Sequence, residues 1–131
     1  MKIEELIKKN KLIAKFMGFT DHPLRNTWMC VPNGEQEKYS AYNLDITKLN
    51  YNSSWDLLMQ VVDKIENHHF VEIVFCECKI YTNAGTIGPH NPIIIWEQGD
   101  DKIHAVWLAV LMFIEWTNAN AEPARTTQTI N

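Results

Sequence analysis

Cys76 and Cys78, spaced i and i+2, are the residues of this chain best placed to do chemistry together. On a strand, side chains two apart leave the same face. Adding His68, His69 or Cys30 would complete a tetrahedral set of soft ligands such as a zinc ion takes. Structural zinc sites usually pair cysteines as C-x2-4-C, and this chain has no second pair of that kind. Free cysteine is also among the most buried residue types, so two strand cysteines turned into a core are the competing reading. His68-His69 falls at the end of a helical pattern, where imidazolium complements the negative end of the helix dipole. Trp28, Tyr81 and Trp96 form a second candidate set, an aromatic platform on which a base or nucleotide-like ligand would stack. Strand aromatics also fill cores, and that is the alternative for all three.

Beyond these sets the sequence offers little catalytic vocabulary. It contains no nucleophile elbow, Walker loop or dinucleotide fingerprint. Gly85 and Gly88 lie in a loop with no helix following at the distance that phosphate cradling requires. Its sixteen acidic residues guarantee accidental carboxylate pairs, and spacing singles out none of them. His22, His90 and His104 have no carboxylate or cysteine at a telling separation. The sequence therefore names no catalytic residue and no cofactor, and it points away from an enzyme.

The elements that would position these residues are those of a folded globular chain. With 131 residues, 46% hydrophobic and 21% charged, it fits one domain able to bury a core without a disulfide or metal staple. The five tryptophans suggest extra buried or interfacial area. A net charge of −4 argues against strong nucleic-acid binding, which needs a basic footprint. Lys2, Lys8, Lys9, Lys11 and Lys15 face only Glu4 and Glu5 at the start, which reads as a solvated helix face. Met1–Lys11 is charged, without an apolar stretch before a small-residue cleavage site, so no secretory signal is expected. The longest apolar run, Ala105–Ile114, is well short of the ~20 residues that cross a bilayer, so no membrane partner is expected. Three cysteines without a signal fit a reducing compartment, and the expected location is the host cytoplasm.

Hydrophobic periodicity predicts three helices. The first runs from Ile3 to Met17 and stops at Gly18, with Ile3, Leu6, Ile7, Ile13, Ala14 and Met17 on one face. Asn10 interrupts that stripe, and a start at Asn10 as N-cap is the alternative. The second begins with Ser53 as cap and Asp56 reaching back, and carries Trp55, Leu58, Met59, Val62 and Ile65 on its stripe. The third spans Asp101–Asn118 and buries Ile103, Trp107, Val110, Leu111 and Ile114. Val106, Leu108, Met112 and Phe113 make it apolar almost all round, so it must be covered on two sides. A homo-oligomer joined through Val106, Phe113 and Trp116 would account for that surplus. Short strands are predicted at Thr27–Val31, Lys38–Ile46, Val71–Phe75, Cys78–Thr82 and Pro92–Trp96, with turns at Thr20–Pro23 and Pro32–Gly34. Asn83–Pro92 reads as a loop, and residues 119–131 as a flexible C-terminal tail following a single domain over 1–118.

Four segments together carry a family resemblance: N-K-L-I-A-K-F-M-G at Asn10–Gly18, Y-N-S-S-W-D-L-L-M-Q-V-V-D-K-I-E at Tyr51–Glu66, C-K-I at Cys78–Ile80, and D-K-I-H-A-V-W-L-A-V-L-M-F-I-E-W-T-N at Asp101–Asn118. Their pattern resembles a family of small uncharacterised proteins of Bacteroidetes phages and prophages, and the order of elements is similar to the phage ABA-sandwich domain. The resemblance implies packing and capping roles for Met17, Gly18, Trp55, Val62, Ile65, Ala105, Ile114 and Trp116, and it implies no reaction. The expected fold is α+β, with three helices packed on an antiparallel sheet of four to five short strands. The expected function is that of a non-enzymatic phage or prophage accessory protein that binds a host protein or a small host ligand, as an anti-defence factor would. The alternatives are a small metal- or nucleotide-dependent enzyme using Cys76, Cys78, His68 and His69, and a virion or assembly component.

Overall fold

The computed structural model describes the backbone of residues 2–21, 29–32, 44–45, 48–82 and 92–130, and side chains over 2–19, 48–82 and 92–120. The chain divides into two compact units, Met1–Val61 and Val62–Asn131.

In the first unit, helix α1 (Ile3–Phe16) is followed by strands β1 (Phe19–Asp21), β2 (Met29–Pro32) and β3 (Leu44–Asp45). The strands form an antiparallel sheet in the order β1-β2-β3, and β1 meets α1. The helix is continuous from Ile3, so Asn10 is an interior residue and not its N-cap. Asn10 is buried in line with Ile13 and Ala14, at i, i+3 and i+4. A polar side chain is tolerated there because its Nδ2 donates to Asn52 Oδ1 at 2.8 Å. Ile3, placed on the core stripe by periodicity, is exposed in the first turn. The helix ends as its sequence predicts: Met17 N–H donates to Ile13 and Ala14 carbonyls, and Gly18 takes φ 100°, a left-handed value that suits a residue without Cβ.

Helix α2 (Trp55–Ile65) spans the boundary between the units. Its cap lies one residue later than the sequence suggests. Leu57 N–H donates to Ser54 Oγ at 3.3 Å, while the Ser53 hydroxyl accepts from Asn50 Nδ2 at 2.8 Å. The buried stripe is Leu58, Val61, Val62 and Ile65, a run at i, i+3, i+4 and i+7. Trp55 and Met59, assigned to that stripe from sequence, are exposed instead. Both stripes share Leu58, Val62 and Ile65, and the helix has turned so that Val61 joins them.

The second unit holds β4 (Val71–Val74), β5 (Glu77–Tyr81), β6 (Ile93–Gln98) and α3 (Lys102–Ile130). The strands pair antiparallel in the order β4-β5-β6, with α3 against them. Cross-strand register sets Val71 opposite Ile80 and Ile80 opposite Ile95, and these three form a buried row. Cys78 is buried on the same face. From α3, Ala105, Val106, Trp107, Ala109, Val110, Leu111, Phe113 and Ile114 are all buried. Each large apolar side chain so enclosed contributes about 1.5–3 kcal/mol. The α3 backbone stays helical past Asn118, where the apolar periodicity stops.

Among the described residues the architecture is α+β with three helices, as expected, but the single sheet of four to five strands is corrected to two three-stranded sheets. Alternation identifies a strand without naming its partner. Here each strand pairs with its neighbour in sequence, and α2 falls between the two sets. The turn expected at Thr20–Pro23 is corrected at its start, since Thr20 and Asp21 belong to the additional strand Phe19–Asp21, while His22 and Pro23 lie outside the described residues.

Two tight spots join the elements of the second unit. Phe75 and Cys76 make the whole β4–β5 turn, and Phe75 has φ 52°. A bulky side chain in that region costs about 1–3 kcal/mol in backbone strain. Gly99 sits between β6 and α3, donates to the Cys76 carbonyl at 2.9 Å, and lies so close to the helix start that a Cβ would stand 2.4 Å from Ala105 N and 2.8 Å from His104 C. Asp101 caps the helix, its Oδ1 accepting from His104 N–H at 2.9 Å.

Gly99→Ala is therefore expected to destabilise the protein by about 1–3 kcal/mol, because backbone cannot yield as a flexible side chain would. Urea unfolding should show a lower midpoint at unchanged slope. An unchanged midpoint would contradict this close approach.

Candidate functional site

The pleat of the second sheet separates two faces. With Val71, Cys78, Ile80 and Ile95 turned inward, Glu72, Lys79 and Trp96 must point outward, and the register places them in one row across β4, β5 and β6. Trp96 is 55% exposed. Lys79 Nζ stands 4.6 Å from the centre of its ring and 3.8 Å from Glu72 Oε1. The same Glu72 oxygen accepts from Tyr81 Oη at 3.0 Å. Partial burial, followed by the hydrogen bond to Glu72 and the charge of that carboxylate, pushes the Tyr81 phenol above its usual range. One row away, Gln98 Nε2 donates to Glu77 Oε1 at 2.7 Å. Exposed ion pairs contribute little, and a cation over an exposed ring about 0.5–1 kcal/mol. These contacts orient the indole more than they stabilise the fold.

Tyr81 and Trp96 thus lie on one outer face, as an aromatic platform would need. They do not stack on each other: Tyr81 leans to Glu72 on β4, and Lys79 stands between it and Trp96. Trp28 lies outside the described residues, as do His22 and His90. Ile93, Val74 and Phe75 are also exposed along the edges and tip of the sheet, giving an outer face with a charged centre and apolar margins.

The soft-ligand set does not assemble. Cys76 is in the turn, exposed, its thiol donating to the Asp100 carbonyl at 4.0 Å. Cys78 is on β5, facing the core. The same-face argument fails because Phe75–Cys76 is the turn itself, so only Cys78 obeys strand alternation. Burial pushes the Cys78 thiol up to about 12. His68 is exposed at the end of α2. His69 Nδ1 lies 2.9 Å from the Tyr81 carbonyl oxygen. That oxygen can only accept, so Nδ1 carries the proton, and the ring packs edge-on to Phe113 at 5.0 Å and Trp116 at 6.1 Å. His69 is thus a wedge between strand and helix. The Cys30 side chain lies outside the described residues. Among the described residues no three His, Cys, Asp or Glu side chains gather as a ligand set.

Two of the three residues read as an oligomer interface are also placed otherwise. Val106 and Phe113 are buried within the single chain and offer no surface to a second copy. Trp116 is half-buried, tilted against Phe113 at 5.8 Å. The surplus apolar character of α3 is largely consumed by its own unit. Among the described residues no helix is long and apolar enough to cross a membrane.

Sequence reasoning missed Phe75 and Gly99. Phe75 carries no turn signal of its own, since neither it nor Cys76 is Gly, Asn, Asp or Pro. Gly99 stands just before the expected start of the third helix at Asp101, and nothing in the neighbouring sequence announces its close approach to Ala105 and Cys76. Comparison of the chain with protein-family models, curated proteins and solved structures finds no match.

The two thiols should differ sharply in reactivity. In the folded protein at pH 8, iodoacetamide is expected to modify Cys76 readily and Cys78 only after unfolding, read by peptide mapping. The buried thiol also sets a pH dependence. Its proton leaves the unfolded chain near 9.0 but stays in the folded one to about 12, so its contribution to stability is complete below pH 9 and declines as pH rises through that interval. Equal alkylation rates in the native state would contradict the burial.

Proposed function

We propose that this chain works by binding and not by catalysis, through the outer face of β4-β5-β6. The observation that carries this reading is Trp96: a large apolar ring, more than half exposed, steered by Lys79, which Glu72 in turn positions. Exposed aromatic residues set in a polar surround are characteristic binding anchors. The described residues supply no nucleophile–base couple beside it. The Cys76 thiol donates to a carbonyl, and His104 Nδ1 accepts from the Asp100 N–H at 3.0 Å.

The resemblance to small proteins of Bacteroidetes phages and prophages, and to the phage ABA-sandwich domain, supports a role as a phage or prophage accessory protein. Its target would be a host protein or a small planar host ligand, with anti-defence as the corresponding biology. The sheet, not α3, is the contact surface in this reading, because Val106 and Phe113 are enclosed.

Native mass spectrometry of the untagged protein from its expressing cells would report subunit number and any retained mass. Trp96→Ala is expected to remove that mass or weaken partner binding by about tenfold or more. Stability should change by no more than ~0.5 kcal/mol, as for an exposed site. Full retention of ligand and partner by Trp96→Ala would end this reading.

A further inference from the structure

The β4–β5 turn carries two penalties that its own unit does not offset. Phe75 holds a left-handed backbone, and its side chain is 83% exposed. A glycine at this position would remove both the strain and the exposed ring. Val74 and Cys76 beside it are exposed as well. Strain retained in a bulky residue concentrates at clamps and recognition sites, and a projecting aromatic ring is the usual anchor of a protein interface.

The surroundings of this tip are acidic. The Gly99 N–H donates to the Cys76 carbonyl, drawing the β6–α3 junction against the turn. Asp100 and Asp101 are therefore beside it, both exposed, and Glu77 follows it directly. Among the described residues Lys79 is held by Glu72, His104 Nδ1 stands 3.7 Å from Asp100 Oδ2, and Lys102 follows Asp101 in sequence.

We propose that the tip Val74–Phe75–Cys76 inserts into an apolar pocket on a protein partner whose pocket rim is basic. This rests on the binding reading above and adds the anchor and the partner's chemistry. An anionic membrane would repel Asp100 and Asp101 within the ~10 Å over which charges act in moderate salt. A second copy would bring the same acidic rim against itself.

The test uses the full chain with the photo-reactive p-benzoylphenylalanine replacing Phe75, and separately Trp96, irradiated in the expressing cells. The expected result at position 75 is one dominant protein adduct, mapping to apolar residues flanked by Lys or Arg. It should weaken by about tenfold when Asp100→Asn and Asp101→Asn are combined, asparagine preserving the helix cap. Phe75→Gly should lower affinity for that purified partner by about tenfold or more while raising Tm by roughly 2–8 °C. Adducts at position 75 only with lipid or with a second copy would overturn the proposal, as would unchanged affinity in Phe75→Gly. Protein adducts from position 96 with none from 75 would refute the tip and leave the binding reading standing. Silence at both positions would remove both.

Discussion

Burial of α3 against the row Val71–Ile80–Ile95 is the constraint from which the rest of the second unit follows. An apolar helix of this breadth cannot remain in water, and the inner face of β4-β5-β6 covers it. Once that face is fixed, the two-residue period of the strands leaves no freedom for the other. Glu72, Lys79 and Trp96 must stand outside, because a one-residue slip would drive Lys79 into the core and Ile80 into solvent. The exposed indole is thus a by-product of register, and the polar ladder beside it decides how the ring is presented.

The junctions matter as much as the layers. Gly99 brings the turn after β4 and the start of α3 within one hydrogen bond of each other, and only a residue without Cβ permits it. Asp101 then satisfies a helix N–H that would otherwise lack a partner. The same closeness sets Asp100 beside Cys76 and gives the tip its charged neighbourhood. At the far end His69 performs a comparable service, one ring bonding a strand carbonyl while its edges pack against Phe113 and Trp116.

Local patterns were legible in proportion to how local their causes are. The Gly18 stop, the Asp101 opening and the greasy character of α3 could all be read directly, since each depends on neighbours within a turn or two. The hairpin Val71–Tyr81 was legible as two strands, but its turn was not, because Phe75 and Cys76 violate turn chemistry. That shift of one or two residues undid the idea of a shared cysteine face. Sheet membership was illegible for a deeper reason: alternation is a property of one strand, while pairing belongs to two. Of the candidate site, residue type alone nominates Trp96 and Tyr81, and their shared face and link through Lys79 and Glu72 follow only from register. Val106 and Phe113 were misread because surplus hydrophobicity in a helix does not say whether a sheet or a second chain covers it.

The order of elements along the chain has a further consequence. The strands precede the helix that covers them, so during synthesis β4, β5 and β6 leave the ribosome before α3 is complete. At roughly 5–20 residues per second, the interval from Gln98 to Ile114 lasts on the order of seconds. Through that time Val71, Cys78, Ile80 and Ile95 have no lid, and the Ile-rich β6 is a sticky nascent segment. The final helix therefore acts on its own chain much as a chaperone would, arriving last to sequester a surface that earlier synthesis has already made.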